Sequence, residues 1–336
     1  MIQQAIHTLV ERNNLTKQEA YECVIEIMSG KSSETLISSF LTALRMKGET
    51  ASEISGCAQA MRQMSTKIKS KHENLIDTCG TGGDGLGTFN ISTASAIIAS
   101  AAGANVAKHG NRAVSSKCGS ADVLKAIGVN IEIPKEKVEH CLDEIGIAFL
   151  FAPMLHGAMK YAMPVRRELG LRTVFNILGP LTNPAGAKRQ LMGVFNPILT
   201  EVLAEVLFDL GTERALIVHG IGGMDEISTI GETRMTEIFN GRISTYTFSN
   251  DSVGIPTSTL SSLAGDTIEL NVQIVHSILN GKPGAHRDIV VLNSAAAIYL
   301  SGIVESIKDG VILAKNAIDS GKAKKKLEQL IEYTNS

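Results

Sequence analysis

The 336-residue sequence has no tryptophan, 8 prolines and only 4% aromatic residues. A core so short of rings is filled by Ala, Val, Ile, Leu and Met, as where helices cover a sheet. Basic residues are not in excess: 32 Lys and Arg face 34 Asp and Glu, for a net charge of −2. That excludes a global field for nucleic acid, so anionic ligands must be held by local groups. The five cysteines (Cys23, Cys57, Cys79, Cys118, Cys141) are odd in number and form no C-x-x-C. A disulfide framework and a zinc site are both unsupported, and a reducing cytoplasm fits. No apolar run is long enough to span a bilayer, since "ASAIIASAAGANVA" is short and broken by Ser, Gly and Asn. The opening "MIQQAIHTLVERNN" lacks the basic and apolar regions of a secretory signal.

What is present is 44% hydrophobic residues and 31 glycines. Residues 1 to about 70 read as helices only, with apolar residues at helical spacing in "AYECVIEIMSG" and "ETLISSFLTALRMKG". Thr16 with Glu19, and Thr50 with Glu53, fit capping boxes, and Gly30 and Gly48 fit C-terminal caps. From residue 74 the pattern alternates. "NLIDTC", "NVAKHG", "IAFLFA" and "RALIVHG" read as strands; "STASAIIASAAGA", "SADVLKAIG" and "PILTEVLAEVLFDLG" read as helices. Ser92 and Thr93 stand where N-caps are expected, and "RDIVVLNSAAAIYLSG" reads as a loop leading into a helix. Residues 240 to 290 read as strand-like Ser/Thr-rich pieces and a loop. The fold class is therefore α/β: a small N-terminal helical domain (1–70) plus a large domain (74–336) with a mainly parallel sheet flanked by helices. Residues 163–184 are a candidate return to the helical domain.

The stretch "DTCGTGGDGLGTFNIST" (77–93) contains G-x-G-x-x-G at Gly80, Gly82 and Gly85. A dinucleotide site needs an immediate helix and an acid about 20 residues on. Here "LGTFN" delays the helix and "GANVAKHGN" carries no acid. Glycines still free the backbone to close N–H groups on an anion, with a helix N-terminus beyond, so the loop suits a phosphate. The bland alternative is a tight strand-to-helix turn.

Three more stretches carry chemistry. "KHGNRAVSSKCGSAD" (108–122) sets Lys108, Arg112 and Lys117 among Asn111, Ser115, Ser116 and Ser120, suiting a phosphate-rich ligand more than a merely solvated basic loop. "GIGGMDEIS" (220–228) puts Asp225 and Glu226 just past a strand end. Paired carboxylates there suit Mg²⁺, although alone they read as an acidic turn. "MPVRRELGLRTVFNILGPLTNP" (163–184) offers Arg166, Arg167 and Arg172, either as carboxylate partners or as helix-end charges. The histidines show no metal-ligand spacing; His109 and His219 flank glycine loops.

Taken in order, "GTGGDG", "FNIST", "KHGNRAVSSKCGSAD", "PVRRELGLRTVFNILGPLTNP", "HGIGGMDEIS" and "RDIVVLN" resemble the anthranilate phosphoribosyltransferase family. The resemblance covers nearly the whole chain and implies a nucleoside phosphorylase/phosphoribosyltransferase-like fold. It implies transfer of phosphoribose from 5-phosphoribosyl-1-pyrophosphate to anthranilate in tryptophan biosynthesis, with two Mg²⁺ ions per subunit and a homodimer formed through the helical domain. Donor contacts would come from Gly80, Gly83, Asp84, Thr88, Asn90, Ile91, Ser92 and Thr93. The run Lys108, His109, Gly110, Asn111, Arg112, Ala113, Val114, Ser115 and Ser116, with Ser120, would add to them. Ser92, Asp225 and Glu226 would hold metal. Gly80, Asn111 and Arg166 would contact anthranilate, Arg166 at its carboxylate. Pyrimidine nucleoside phosphorylases and nucleic-acid-binding relatives share the fold and are the alternatives. An aromatic amine is already a free nucleophile at pH 7, so no essential general base is expected, and His109 is given a positioning role.

Overall fold

The computed structural model describes residues 1–113 and 118–336. Four helices open the chain: α1 (Ile2–Val10), α2 (Lys17–Met28), α3 (Glu34–Lys47) and α4 (Ala51–Met64). Both expected capping boxes form, Thr16 with Glu19 and Thr50 with Glu53. The second is also a buried junction. Glu53 is fully buried and accepts from the Leu15 N–H at 2.9 Å, while Lys47 Nζ reaches it at 2.8 Å. That one carboxylate ties the α1–α2 loop to the α3–α4 loop.

The α/β part follows: β1 (Leu75–Asp77), α5 (Ile91–Ala101), β2 (Asn105–Gly110), α6 (Ser120–Ile127), α7 (Lys135–Ile145) and β3 (Ile147–Phe151). Three short helices then interrupt the alternation: α8 (Ala152–Leu155), α9 (Met163–Leu169) and α10 (Phe175–Leu178). Next come β4 (Arg189–Gly193), α11 (Leu199–Asp209), β5 (Arg214–Gly220), β6 (Thr233–Phe239) and β7 (Arg242–Phe248). The chain ends in α12 (Ile268–Leu279), α13 (Ala285–Leu300), α14 (Ile307–Asp319) and α15 (Lys322–Asn335).

The seven strands lie in the order β3-β2-β1-β4-β5-β6-β7. The first five are parallel, and β6 and β7 form an antiparallel hairpin. Asn240 and Gly241 make its turn at φ 50° and 72°, the left-handed pair that a two-residue hairpin prefers. On one sheet face α5, α13, α14 and α15 share a core with Ile76, Val106 and Leu216. On the other, Met192, Ala215 and Ile217 join a core that takes in α11, α1–α4, and Val165, Phe175 and Leu178 of α9 and α10.

Three expectations are corrected. Ser92 and Thr93 are not caps: α5 begins at Ile91 with Asn90 before it. Arg287 and Asp288 are already helical within α13. Residues 240–290 contain β7 but also α12, capped by Thr267.

Candidate active site

Sequence order reverses at β1, whose neighbours are β2 and β4. Open α/β sheets bind ligands beyond the carboxyl ends of the strands at such a switch point. The glycine loop leaves β1 there. A Cβ at Gly80 would meet the Gly193 carbonyl oxygen at 2.8 Å, so the loop lies directly on the end of β4. The Thr81 N–H donates to that oxygen at 2.9 Å. Gly82, Gly83, Gly85 and Gly87 all have φ between 65° and 82°, a left-handed run that side chains would strain. Thr88 bridges to Ala264 and closes the loop before α5. Asp84 caps the Leu86 N–H at 3.1 Å with Oδ1, and its Oδ2 is buried without a partner.

Lys108 stands on β2, buried beneath this loop. Its ammonium donates to the Thr78 carbonyl at 3.0 Å and to the Thr78 and Ser92 hydroxyls, each at 3.2 Å. Asn90 precedes α5 without capping it: its side-chain oxygen accepts nothing from the described residues, while its donors are used elsewhere. Its N–H goes to Asn271 at 2.9 Å and its amide to the Cys118 carbonyl at 3.3 Å. The first turn of α5 is left for other acceptors, and the Ser92 N–H favours the charged form of Glu226. Buried Asn90 Oδ1 and Thr93 Oγ1 also lack partners.

Past β5 the Gly220 N–H bonds to the Met224 carbonyl at 2.8 Å, and the Met224 side chain is fully buried. Asn293 of α13 clamps Ile227, accepting its N–H at 3.0 Å and donating to its carbonyl at 2.9 Å. Asp225 and Glu226, between these anchors, are half-buried and turned towards Asp84 and Ser92. Burial, then the charges of Asp84 and Glu226, raises Asp225 well above the usual carboxylate range. Burial pushes Glu226 up to about 8, against the opposing pull of Lys108 and the Ser92 N–H. Asp84 therefore belongs with the carboxylates, a grouping the spacing did not reveal. Its only sequence signal is an acid inside a glycine run.

Other candidates stand further out. Arg166 on α9 is half-buried 5.5 Å from the Phe175 ring, and its other contact is Met163 Sδ at 3.7 Å. It has no carboxylate partner among the described residues. Asn111 is exposed, and its carbonyl accepts from Ser120 Oγ at 3.2 Å. The Arg112 guanidinium turns away to Glu132 at 2.9 Å, and the Ala113 N–H goes to Asp122 at 3.0 Å. Val114, Ser115, Ser116 and Lys117 lie outside the described residues. Arg172, offered as a carboxylate partner or a helix-end charge, meets a carbonyl and a ring instead. It stacks 4.5 Å from the Phe195 ring and donates to the Gly83 carbonyl at 2.5 Å.

His109 and Gly110 end β2, and both are buried. Asp77, Cys79 and His109 place ligand-type atoms within 4.8 Å of one another. The Asp77 and His109 atoms are already committed. Asp77 accepts the His109 N–H at 3.1 Å and the Asn183 amide at 2.7 Å. His109 Nδ1 meets the Gly179 carbonyl at 3.1 Å and its Nε2 meets His156 at 3.2 Å. This is a pin joining β1, β2 and the 179–183 turn, and it carries no metal role.

Known proteins can be compared with this geometry. Two family models match, "Glycosyl transferase family, helical bundle domain" over residues 3–65 and "Glycosyl transferase family, a/b domain" over residues 72–324. The anthranilate phosphoribosyltransferase of Acetivibrio thermocellus is 53% identical over 336 residues, covering 100% of this chain and 97% of the relative. That of Clostridium kluyveri is 52% identical over 335 residues, covering 100% of both. The solved Thermus thermophilus enzyme superposes with TM-score 0.94 at 41% identity, over 99% of each chain. A Saccharomyces cerevisiae enzyme in complex with PRPP and Mg superposes with TM-score 0.92 at 29% identity, over 99% of this chain and 98% of that one.

Proposed function

We propose, from the premise that the chain belongs to the anthranilate phosphoribosyltransferase family, that it makes N-(5-phosphoribosyl)anthranilate from anthranilate and 5-phosphoribosyl-1-pyrophosphate in tryptophan biosynthesis. The observation that carries the reading is the facing of Asp84, Asp225 and Glu226 against Lys108, Ser92 and the glycine loop at the switch point.

Oxygen donors with too few cations fit Mg²⁺. Among the described residues Lys108 acts on Glu226 and no cation offsets Asp225, while Asp84 Oδ2 is buried without a partner. Mg²⁺ favours carboxylate and hydroxyl oxygens and keeps sites for phosphates and water. We assign two ions per subunit to Asp84, Asp225, Glu226 and the Ser92 hydroxyl. Bound there, Mg²⁺ would offset the charge of the pyrophosphate as it leaves.

The remaining work falls to the chain. The N–H groups of the left-handed glycines and the first turn of α5 donate to phosphate oxygens, already oriented before the reaction. Lys108, fixed by Thr78 and Ser92, adds a buried positive charge beneath them. The bond between ribose C1 and the pyrophosphate oxygen breaks with its electron pair going to oxygen. The anthranilate nitrogen forms the new bond to C1 and then loses a proton to solvent or pyrophosphate. Arg166, braced against Phe175, holds the anthranilate carboxylate so that the amine faces C1. His109 keeps its place in the hydrogen-bonded pin, with a pKa lowered to about 3 by burial and then by His156, which supports positioning over base catalysis.

We assign the homodimer contact to the α1–α3 face, where Val10 and Met46 are 68% and 70% exposed. We place the protein in the cytoplasm; among the described residues no helix is long and apolar enough to cross a membrane. The reading is tested by pyrophosphate release with anthranilate as acceptor. Release with anthranilate alone supports it. Thymidine cleavage dependent on inorganic phosphate, without pyrophosphate release, would replace it with the phosphorylase reading.

A further inference from the structure

At the other end of the sheet, β4 and β5 each begin with an arginine, and Arg189 and Arg214 are partners in the parallel ladder. A five-residue strand rises roughly 13 Å, so this pair is that far from Gly193, which abuts Asp225. The Arg214 guanidinium lies between two rings, 4.5 Å from Phe239 and 4.9 Å from Tyr299. Arg189 Nη1 donates to the Leu300 and Ser301 carbonyls at the end of α13. Gly302 follows with φ 78°, and a Cβ there would lie 2.9 Å from Arg189 Nη1 and 3.3 Å from Arg214 Nη1. Both guanidiniums therefore converge on a position that only glycine leaves open.

Neither arginine forms an ion pair with the carboxylates beside it. Glu213 pairs with Lys188 at 2.9 Å. Glu237 accepts from the Tyr299 hydroxyl at 2.7 Å and the Tyr246 hydroxyl at 3.2 Å, and Tyr299 also contacts Arg214. Arg189 Nε, Arg214 Nε and Arg214 Nη2 are buried without an acceptor. Glu213 acts on Arg189 and the rings of Phe239 and Tyr299 face Arg214, yet guanidinium cannot shed its charge and three of the pair's N–H donors still lack an acceptor among the described residues. Both residues remain partly open to solvent.

We propose that Arg189 and Arg214, at Gly302, form a second binding site, for a small tetrahedral oxyanion of the phosphate class. The features that isolate the pair also preorganise it. The rings fix the plane of Arg214, the end of α13 fixes Arg189, and the missing side chain at 302 leaves the approach. Planar forks suit such anions, whereas lysine offers only a point charge. Free phosphate and the pyrophosphate product share this chemistry.

The test is calorimetric titration with inorganic phosphate, and separately with pyrophosphate, of wild type, Arg214→Lys and Arg189→Gln/Arg214→Lys. A selenate anomalous map of wild-type crystals locates the site. The expected result is one more anion equivalent in wild type than in the double variant, binding at least about ten-fold weaker in Arg214→Lys, and a selenate peak beside Gly302. The tighter of the two anions identifies the source. Identical isotherms for wild type and variants would overturn the site, and a peak without a calorimetric difference would mean an adventitious ion only. If the double variant does not fold, Arg214→Lys, which keeps the charge, decides alone.

Discussion

His109 Nε2 and His156 Nε2 lie 3.2 Å apart in the interior. With His109 Nδ1–H assigned to the Gly179 carbonyl, His109 Nε2 accepts the His156 proton, and His156 Nδ1 is left as a buried acceptor without a partner. Both rings must then stay neutral.

Burial lowers His156 to about 4, and burial with the His156 charge lowers His109 to about 3. Between pH 6.5 and these values the unfolded chain binds protons that the folded protein refuses, so stability falls as pH falls, by up to about 1.4 kcal/mol per pH unit for each ring. Asp77, raised by burial to about 6, acts in the opposite direction between its ordinary value and 6. Comparing wild type with His156→Leu removes that common contribution. Urea denaturation should show the wild-type advantage shrinking by about 2 kcal/mol between pH 6.5 and 4. A gap independent of pH would contradict a neutral pair.

Gly193 carries the contact between β4 and the Asp225 backbone, and a Cβ there would fall inside that backbone. Gly193→Ala is expected to shift Asp225 together with the Gly80 loop resting on the same carbonyl. Activity should drop about 100-fold, as a misplacement of roughly 1 Å can cost, while circular dichroism stays native. Activity within two-fold of wild type would show that the contact is not needed.

Arg172 joins the 170–173 segment to the Gly83 carbonyl and rests on Phe195. It acts through the loop, as a positioning residue. Arg172→Ala should lower kcat/KM for the phosphoribosyl donor about ten-fold, mainly through KM, with Arg172→Lys in between. Steady-state kinetics with each substrate varied in turn checks this. A change confined to the anthranilate KM would place the residue elsewhere.

Much of this arrangement is legible in the sequence because local chemistry governs it. The capping boxes at Thr16 and Thr50 and the strands "NVAKHG" and "RALIVHG" need only near neighbours. The glycine run and the acids past β5 read correctly as loops at strand ends. What failed depended on partners far along the chain. Ser92 and Thr93 look like caps, but α5 starts at Ile91, after Asn90, whose N–H is held by Asn271, 181 residues away. Asp84 joins Asp225 because β4 lies between β1 and β5 and its last residue, Gly193, meets both loops. The exposed Arg112–Glu132 pair, twenty residues apart, was likewise not legible. The hairpin turn at Asn240 and Gly241 lies in a stretch read only as strand-like Ser/Thr-rich pieces and a loop.

The most direct test uses the fluorescence of anthranilate. Protein, anthranilate, 5-phosphoribosyl-1-pyrophosphate and Mg²⁺ are mixed and the signal is followed, with EDTA and with Asp225→Asn/Glu226→Gln as controls. The account predicts loss of anthranilate fluorescence in wild type that EDTA abolishes and the double variant lacks. No loss with folded wild type, or an equal loss in the double variant, would contradict it.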